Sequence, residues 1–226
     1  MKQYLINYIN KALYLIVFTG LSLANLANAG SYDDFFTAIK RDDPGTIKAL
    51  LARGFDANTL DPQGQHGLYL AMREPSLKAA QVLIDWPKTD VNILNVKGES
   101  PLMLAILKGQ QDVAEKLLKK GADVNKTGWT PLHYAASSGQ LGMISLLLEN
   151  SAYIDAESPN GTTPLMMAAM YGTPAAVKLL LEEGADPQLK NQRGLTALEF
   201  AQRGKRPDSA QAIGAFIRGK QPAGQW

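Results

Sequence analysis

Cysteine is absent from all 226 positions, and histidine occurs only twice, at His66 and His133. The first absence excludes a disulfide framework, a thiolate metal site and a lipid-bearing cysteine behind a leader, so stability must come from packing. The second leaves little material for a metal centre, since neither His has a second His or an acid at ligand spacing. An excess of one charge is missing too, with 23 Lys and Arg against 21 Asp and Glu. That balance gives neither the basic footprint of a nucleic-acid binder nor an acidic solvating tail. Phosphate loops, nucleophile elbows and dinucleotide fingerprints are also lacking, and no metal or other cofactor is expected.

No apolar run is long enough to span a bilayer. The segment "ALYLIVFTGLSLA", Ala12 to Ala24, has 13 residues, short of the roughly 20 a membrane-crossing helix needs. Lys2 and Lys11 precede it and Ala27, Asn28 and Ala29 follow, the three-part layout of a secretory signal peptide. Residues 1–29 therefore read as a leader cut after Ala29, and the product as periplasmic or secreted, without stable membrane insertion. The rival reading retains the leader as an anchor. Loss of Lys2 and Lys11 with the leader leaves 21 basic and 21 acidic side chains, a neutral mature chain.

The remainder is periodic. "GFDAN", "TDVN", "GADVN", "SAYID" and "GADPQ" end at Asn58, Asn92, Asn125, Asp155 and Gln188, at intervals of 34, 33, 30 and 33 residues. A second string keeps the same beat: "GESPLMLAILKG" from Gly98, "GWTPLHYAASSG" from Gly128, "GTTPLMMAAMYG" from Gly161 and "GLTALEFAQRG" from Gly194. Between them lie amphipathic stretches such as "DVAEKLLKK" and "AVKLLLEEG". Ser100, Thr130 and Thr163 can cap helices, with Pro101, Pro131 and Pro164 at the first helical position, where a missing N–H costs nothing. Gly109, Gly139 and Gly172 are expected to close first helices, and Gly121 and Gly184 second ones. Leu102, Ala105, Leu117 and Leu118, then Leu132, Ala135, Leu146 and Leu147, recur where they would face neighbouring units. One unit cannot bury that surface, so a row is required, with more polar units at its ends.

These strings resemble the ankyrin repeat, with its Thr-Pro-Leu-His start, Gly turn, paired Leu and Gly-Ala-Asp finger. The resemblance covers about Tyr32 to Arg218. It implies an all-α solenoid of stacked helix-turn-helix units with short finger loops, in six repeats at about 31–60, 61–94, 95–127, 128–157, 158–190 and 191–218. The ankyrin-repeat domain is then 30–218 and residues 219–226 a flexible tail. Two departures stand out. His66 and Gly67 replace Thr and Pro, which predicts a less well capped helix, and the fourth unit is three residues short between Asn125 and Thr130, which predicts a clipped finger.

The bland reading of the chemistry-bearing residues outweighs the catalytic one. His133 sits in the signature position, where the ring is expected to bond backbone of a neighbouring turn, and His66 reads as a surface or capping residue. Asp56, Asp90, Asp123 and Asp186 recur once per unit, which spaces them along the stack as turn formers. Ser137 and Ser138 follow His133 without an elbow or an oriented acid. A hydrolase using His66 or His133 is thus a weak alternative, and an anchored envelope scaffold or spacer is a second.

The resemblance implies a module that binds a protein partner through its concave groove and finger tips, and the chain is expected to be non-catalytic and a monomer. Mapped onto this chain, those positions are Gln65 and Arg73, Lys97, Glu99, Leu107 and Lys108, Trp129, Ser137 and Ser138, Thr162, Met170 and Tyr171, and Arg193 and Leu195. The candidate partner-binding set is Lys97, Glu99, Leu107, Lys108, Trp129, Met170 and Tyr171, because apolar and aromatic residues recur there in successive units and such residues dominate interface energetics.

Overall fold

The computed structural model describes residues 30–219, so the leader and most of the tail fall outside the described residues. Among the described residues there are twelve helices, and the sole extended pairing is an isolated bridge between Leu60 and His66. The chain divides between Thr89 and Asp90 into two compact units.

The first unit contains α1 (30–40), α2 (Pro44–Ala52), α3 (Gly67–Arg73) and α4 (Leu77–Asp85). The α4 helix packs on both α2 and α3. Its core is more aromatic than the later repeats. The Phe35 ring meets Phe36 edge to face and Phe55 at a tilt, at ring-centroid distances of 5.2 and 4.7 Å, and a Cβ added to Gly67 would meet the Phe35 ring at 2.9 Å. Glycine therefore stands where other units have proline because the cap's aromatic side chain fills that space. The helix start is nevertheless capped: His66, 2% exposed, accepts the Leu68 N–H at Nδ1. Imidazole nitrogen replaces a hydroxyl as acceptor, but it holds one N–H at 3.3 Å without the proline or the reciprocal bond of the later helix starts, the less complete cap that the sequence predicts.

The second unit contains α5 (Pro101–Leu107), α6 (Gln111–Lys119), α7 (Pro131–Ser138), α8 (Leu141–Glu149), α9 (Pro164–Met170), α10 (Pro174–Glu182), α11 (Ala197–Arg203) and α12 (Pro207–Gly219). Each first helix contacts the next, α5 to α7 to α9 to α11, and so do the second helices, α6 to α8 to α10 to α12. Burial follows the repeat: Leu102, Ala105, Leu117, Leu132, Ala135 and Leu147 are all at most 1% exposed. Leu118 and Leu146 remain half-exposed. Gly219 ends α12, and residues 220–226 of the expected tail lie outside the described residues.

Local chemistry fixes the helix starts. Four N-cap N–H groups are accepted by the residue three places on: Ser100 by Met103, Thr130 by His133, Thr163 by Met166 and Thr196 by Glu199. The turn glycines divide into two kinds. Gly109, Gly121, Gly139 and Gly184 have φ of 66, 90, 66 and 103°, the left-handed region expected of a helix-ending glycine. Gly172 has no positive φ; an added Cβ would lie 2.3 Å from the Ala136 carbonyl oxygen, so close repeat packing requires it.

The expected turn-forming acids also behave as such. Asp56, Asp90, Asp123 and Asp186 each accept the backbone N–H two residues on, at 2.8–2.9 Å.

Candidate functional site

The fourth repeat organises the surface of the second unit. Its finger is three residues short, and Lys126 braces it by donating Nζ to the Thr127 and Trp129 carbonyls at 2.9 and 3.1 Å. Fingers of full length instead use a side-chain oxygen at the base of the loop: Asn95 accepts the N–H groups of Lys97 and Glu99, and Asn191 those of Arg193 and Leu195. The clipped loop sets Trp129 on the edge of the His133 ring, 5.2 Å between centroids and 77° between planes.

His133 is fully buried and linked at both nitrogens. Nδ1 accepts the Thr130 N–H at 3.1 Å, and Nε2 lies 2.8 Å from the Thr162 carbonyl oxygen of the next repeat. A carbonyl can only accept, so Nε2 carries the proton and the ring is neutral. Burial pushes its pKa down to about 4, outweighing the hydrogen bond to Thr162, which acts the other way. A histidine spanned between two backbone groups is a structural strut, with no free nitrogen for acid–base work.

Around Trp129 lie two hollows. The larger, about 350 Å³, is lined by Trp129, Met167, Met170, Tyr171, Leu195 and Phe200, with Asn160, Thr162, Asn191, Arg193 and Arg203 completing it. The smaller, about 210 Å³, lies between Trp129, His133, Tyr134, Ser137 and Met167. The finger side of the larger hollow is braced, because the Gln192 N–H donates to the Asn160 carbonyl at 3.0 Å and Gln192 Nε2 to the Pro159 carbonyl at 2.9 Å.

Of the expected partner-binding residues, Trp129, Met170 and Tyr171 converge on the larger hollow. Lys97, Glu99, Leu107 and Lys108 line neither hollow. Leu107 is 44% exposed at the end of α5, with Lys108 exposed beside it. Glu99 is tied down by Asn95 Nδ2 at 2.7 Å and reached by the Tyr134 hydroxyl at 3.5 Å. Burial, with the Glu99 charge adding to it, raises the Tyr134 pKa. Thr162, mapped onto the accessible face, is 2% exposed; its hydroxyl-bearing residue is part of the repeat junction that holds His133. Met167, Phe200 and Arg203 were not anticipated. Met167 sits one helical turn before Met170 and Tyr171, a spacing that places it on their side of α9; Phe200 and Arg203 stand one repeat period after Met167 and Met170 in the strings from Gly161 and Gly194, a signal that could have found them.

No group of three or more His, Asp or Glu residues suited to a metal occurs among the described residues, and none of their helices is long and apolar enough to cross a membrane.

A family model described as ankyrin repeats matches residues 35–127, 88–159, 124–191 and 151–214. Among curated proteins, the chain is 31% identical over 125 residues to the mouse B-cell lymphoma 3 protein homolog, covering 52% of this chain and 28% of that protein. It is 40% identical over 98 residues to the rat ankyrin repeat and SAM domain-containing protein 6, covering 42% and 11%. The matched region is thus well under two thirds of either relative. Among solved structures, it is similar to an ankyrin repeat domain from Acinetobacter baumannii, with TM-score 0.72, 27% identity and coverage of 81% of this chain and 97% of the other. It is also similar to a chain in the complex of a predatory endopeptidase from Bdellovibrio bacteriovorus with an immunity protein, with TM-score 0.70, 31% identity and coverage of 80% and 97%. Ankyrin repeats are protein–protein interaction modules, generally without catalysis. With four capped first helices stacked in series and a family model matching across residues 35–214, the chain belongs to the ankyrin-repeat family.

Proposed function

We propose that the chain binds a folded protein partner outside the cytoplasm, on the face of its second unit built around Trp129, Met170 and Tyr171. The observation that carries this reading is their convergence on one braced hollow. Tyr171 is 57% exposed, and Trp129 and Met170 are half-buried. Aromatic residues held in place lose little side-chain freedom on binding and commonly anchor interfaces. The strut at His133 supplies that rigidity to Trp129.

The extracytoplasmic location rests on the leader reading of residues 1–29. Mass spectrometry of the protein isolated from cells is expected to find Gly30 at the mature N-terminus; Met1 there would restore the anchored scaffold. Binding is tested by comparing wild type with Trp129→Ala/Tyr171→Ala in capture of the partner from the extracytoplasmic fraction. Loss of at least about tenfold in affinity is expected, equivalent to about 1.4 kcal/mol; undiminished capture would remove this face from the interface.

A second reading makes the partner an enzyme that the chain silences. The likeness to a chain of the endopeptidase–immunity protein complex favours it. Turnover by the captured partner, measured with and without the chain, separates silencing from simple docking.

A further inference from the structure

The larger hollow carries charge of one sign. Its apolar wall comes from Trp129, Met170, Tyr171 and Phe200, and its two charged side chains are both guanidinium groups, Arg193 and Arg203. No carboxylate lines it. Ion pairs such as Arg73 with Glu74 and Lys178 with Glu182 lie elsewhere, and neither Arg193 nor Arg203 is paired with a carboxylate among the described residues. Glu199, close enough to feel the Arg203 charge, accepts the Thr196 N–H and hydroxyl at one oxygen, Oε2, at 2.6 and 2.9 Å, and makes no ion pair with Arg203. The Arg193 end is held in position through its backbone, whose N–H donates to Asn191 Oδ1 at 3.0 Å.

Resting on the binding role proposed above, we infer that this hollow takes an acidic segment of the protein partner. One aromatic or aliphatic side chain enters against Trp129, Met170 and Phe200, and an adjacent Asp or Glu carboxylate is held by Arg193 and Arg203. The chemistry matches at both ends. An apolar side chain gains from burial in a wall of carbon and sulfur, and a guanidinium presents a planar pair of N–H donors that fits a carboxylate and holds its charge at any pH the protein meets. A basic segment would bring like charge to two exposed arginines and is excluded by the same geometry.

The test uses the full chain and two synthetic peptides that share the same central Phe and Leu residues, one flanked by Asp and Glu and the other by Lys. Titration is followed by calorimetry and by the Trp129 indole resonance. The acidic peptide is expected to bind, to shift that resonance, and to weaken as salt rises, because exposed charges are screened. Its affinity is expected to fall by about tenfold or more in Arg193→Ala/Arg203→Ala and to recover in part in Arg193→Lys/Arg203→Lys. Both arginines are exposed, so the variants should keep the wild-type circular dichroism. Equal or tighter binding of the basic peptide, no binding of the acidic one at millimolar concentration, or indifference to the arginine substitutions overturns the inference. With the captured partner, retention by the arginine variants and loss by Trp129→Ala/Tyr171→Ala overturns this inference alone; retention by both sets overturns the binding face as well.

Discussion

At the scale of single residues, His133 ties stability to pH. The unfolded ring ionises near 6.5, the folded ring near 4, and burial is the main cause of the difference. The neutral ring is the form that fits, because a proton on Nδ1 would point at the Thr130 N–H it now accepts. This contribution is therefore complete above pH 6.5 and drains away as pH falls toward 4, by an amount on the order of 3 kcal/mol. Urea unfolding across that interval is expected to show the slope in wild type and a shallower one in His133→Gln; equal slopes would leave the ring without this role. Gly172 gives a second residue-scale expectation. Its added methyl would strike the Ala136 carbonyl, so Gly172→Ala should cost about 1–3 kcal/mol through overpacking, read from the same urea curves. A neutral substitution would mean the repeats can part locally.

At the scale of elements, fingers are stitched by one amide per repeat. Asn92 Nδ2 donates to the Gly121 carbonyl while its Oδ1 accepts the Asp123 N–H. Asn125 repeats the pattern one unit on, with the Ser151 carbonyl and the Tyr153 N–H. Asp155 follows in register but is a carboxylate: it accepts the Asp186 N–H at 3.2 Å and has nothing to donate. Burial raises its pKa, with the Asp186 charge adding to this and the Asp186 N–H opposing it. A folded pKa above the unfolded one means ionisation disfavours the native state, so the penalty appears as pH rises through the folded value. Asp155→Asn should restore the donor, adding about 1 kcal/mol near neutrality, or about 2–4 °C in Tm, with the gain shrinking in acid. Asn125→Ala should cost about 1–3 kcal/mol. Thermal melts of the two variants decide; a destabilising Asp155→Asn would contradict the ladder.

Much of this level was legible in the sequence and some was not, for a physical reason. Thr-Pro starts, Gly turns and Asp turns act within a few residues, so spacing revealed helix starts, repeat phase and the clipped finger, while the resemblance to ankyrin repeats put Trp129, Met170 and Tyr171 on one face. The Asn125 ladder and the Gly172 contact depend on which atoms one repeat presents to the next. That register is set by packing about 30 residues away in sequence and leaves no local mark. His66, read as a surface or capping residue, is the cap: a residue foreign to the motif performs that task with a ring nitrogen.

At the scale of the molecule, each repeat of the second unit borrows its core from the next. The α9 helix is covered by α11, and α10 by α12. Arg206 adds a tie from the last repeat to the Gly172 carbonyl. In an array of this kind, stability is the sum of weak units and strong interfaces. A chain ending at Lys190 should therefore lose more helicity than α11 and α12 contain, and the amides of α9 and α10 should exchange much faster. Unchanged protection there would show that the end repeat is not a cap.

The binding face has one direct measurement: hydrogen exchange of the full chain, alone and saturated with its captured partner. Slower exchange is expected in residues 129–138, 164–171 and 193–203, with little change along α6, α8 and α10. Protection confined to those second helices, with the Trp129 hollow exchanging as in the free chain, would contradict the proposed interface.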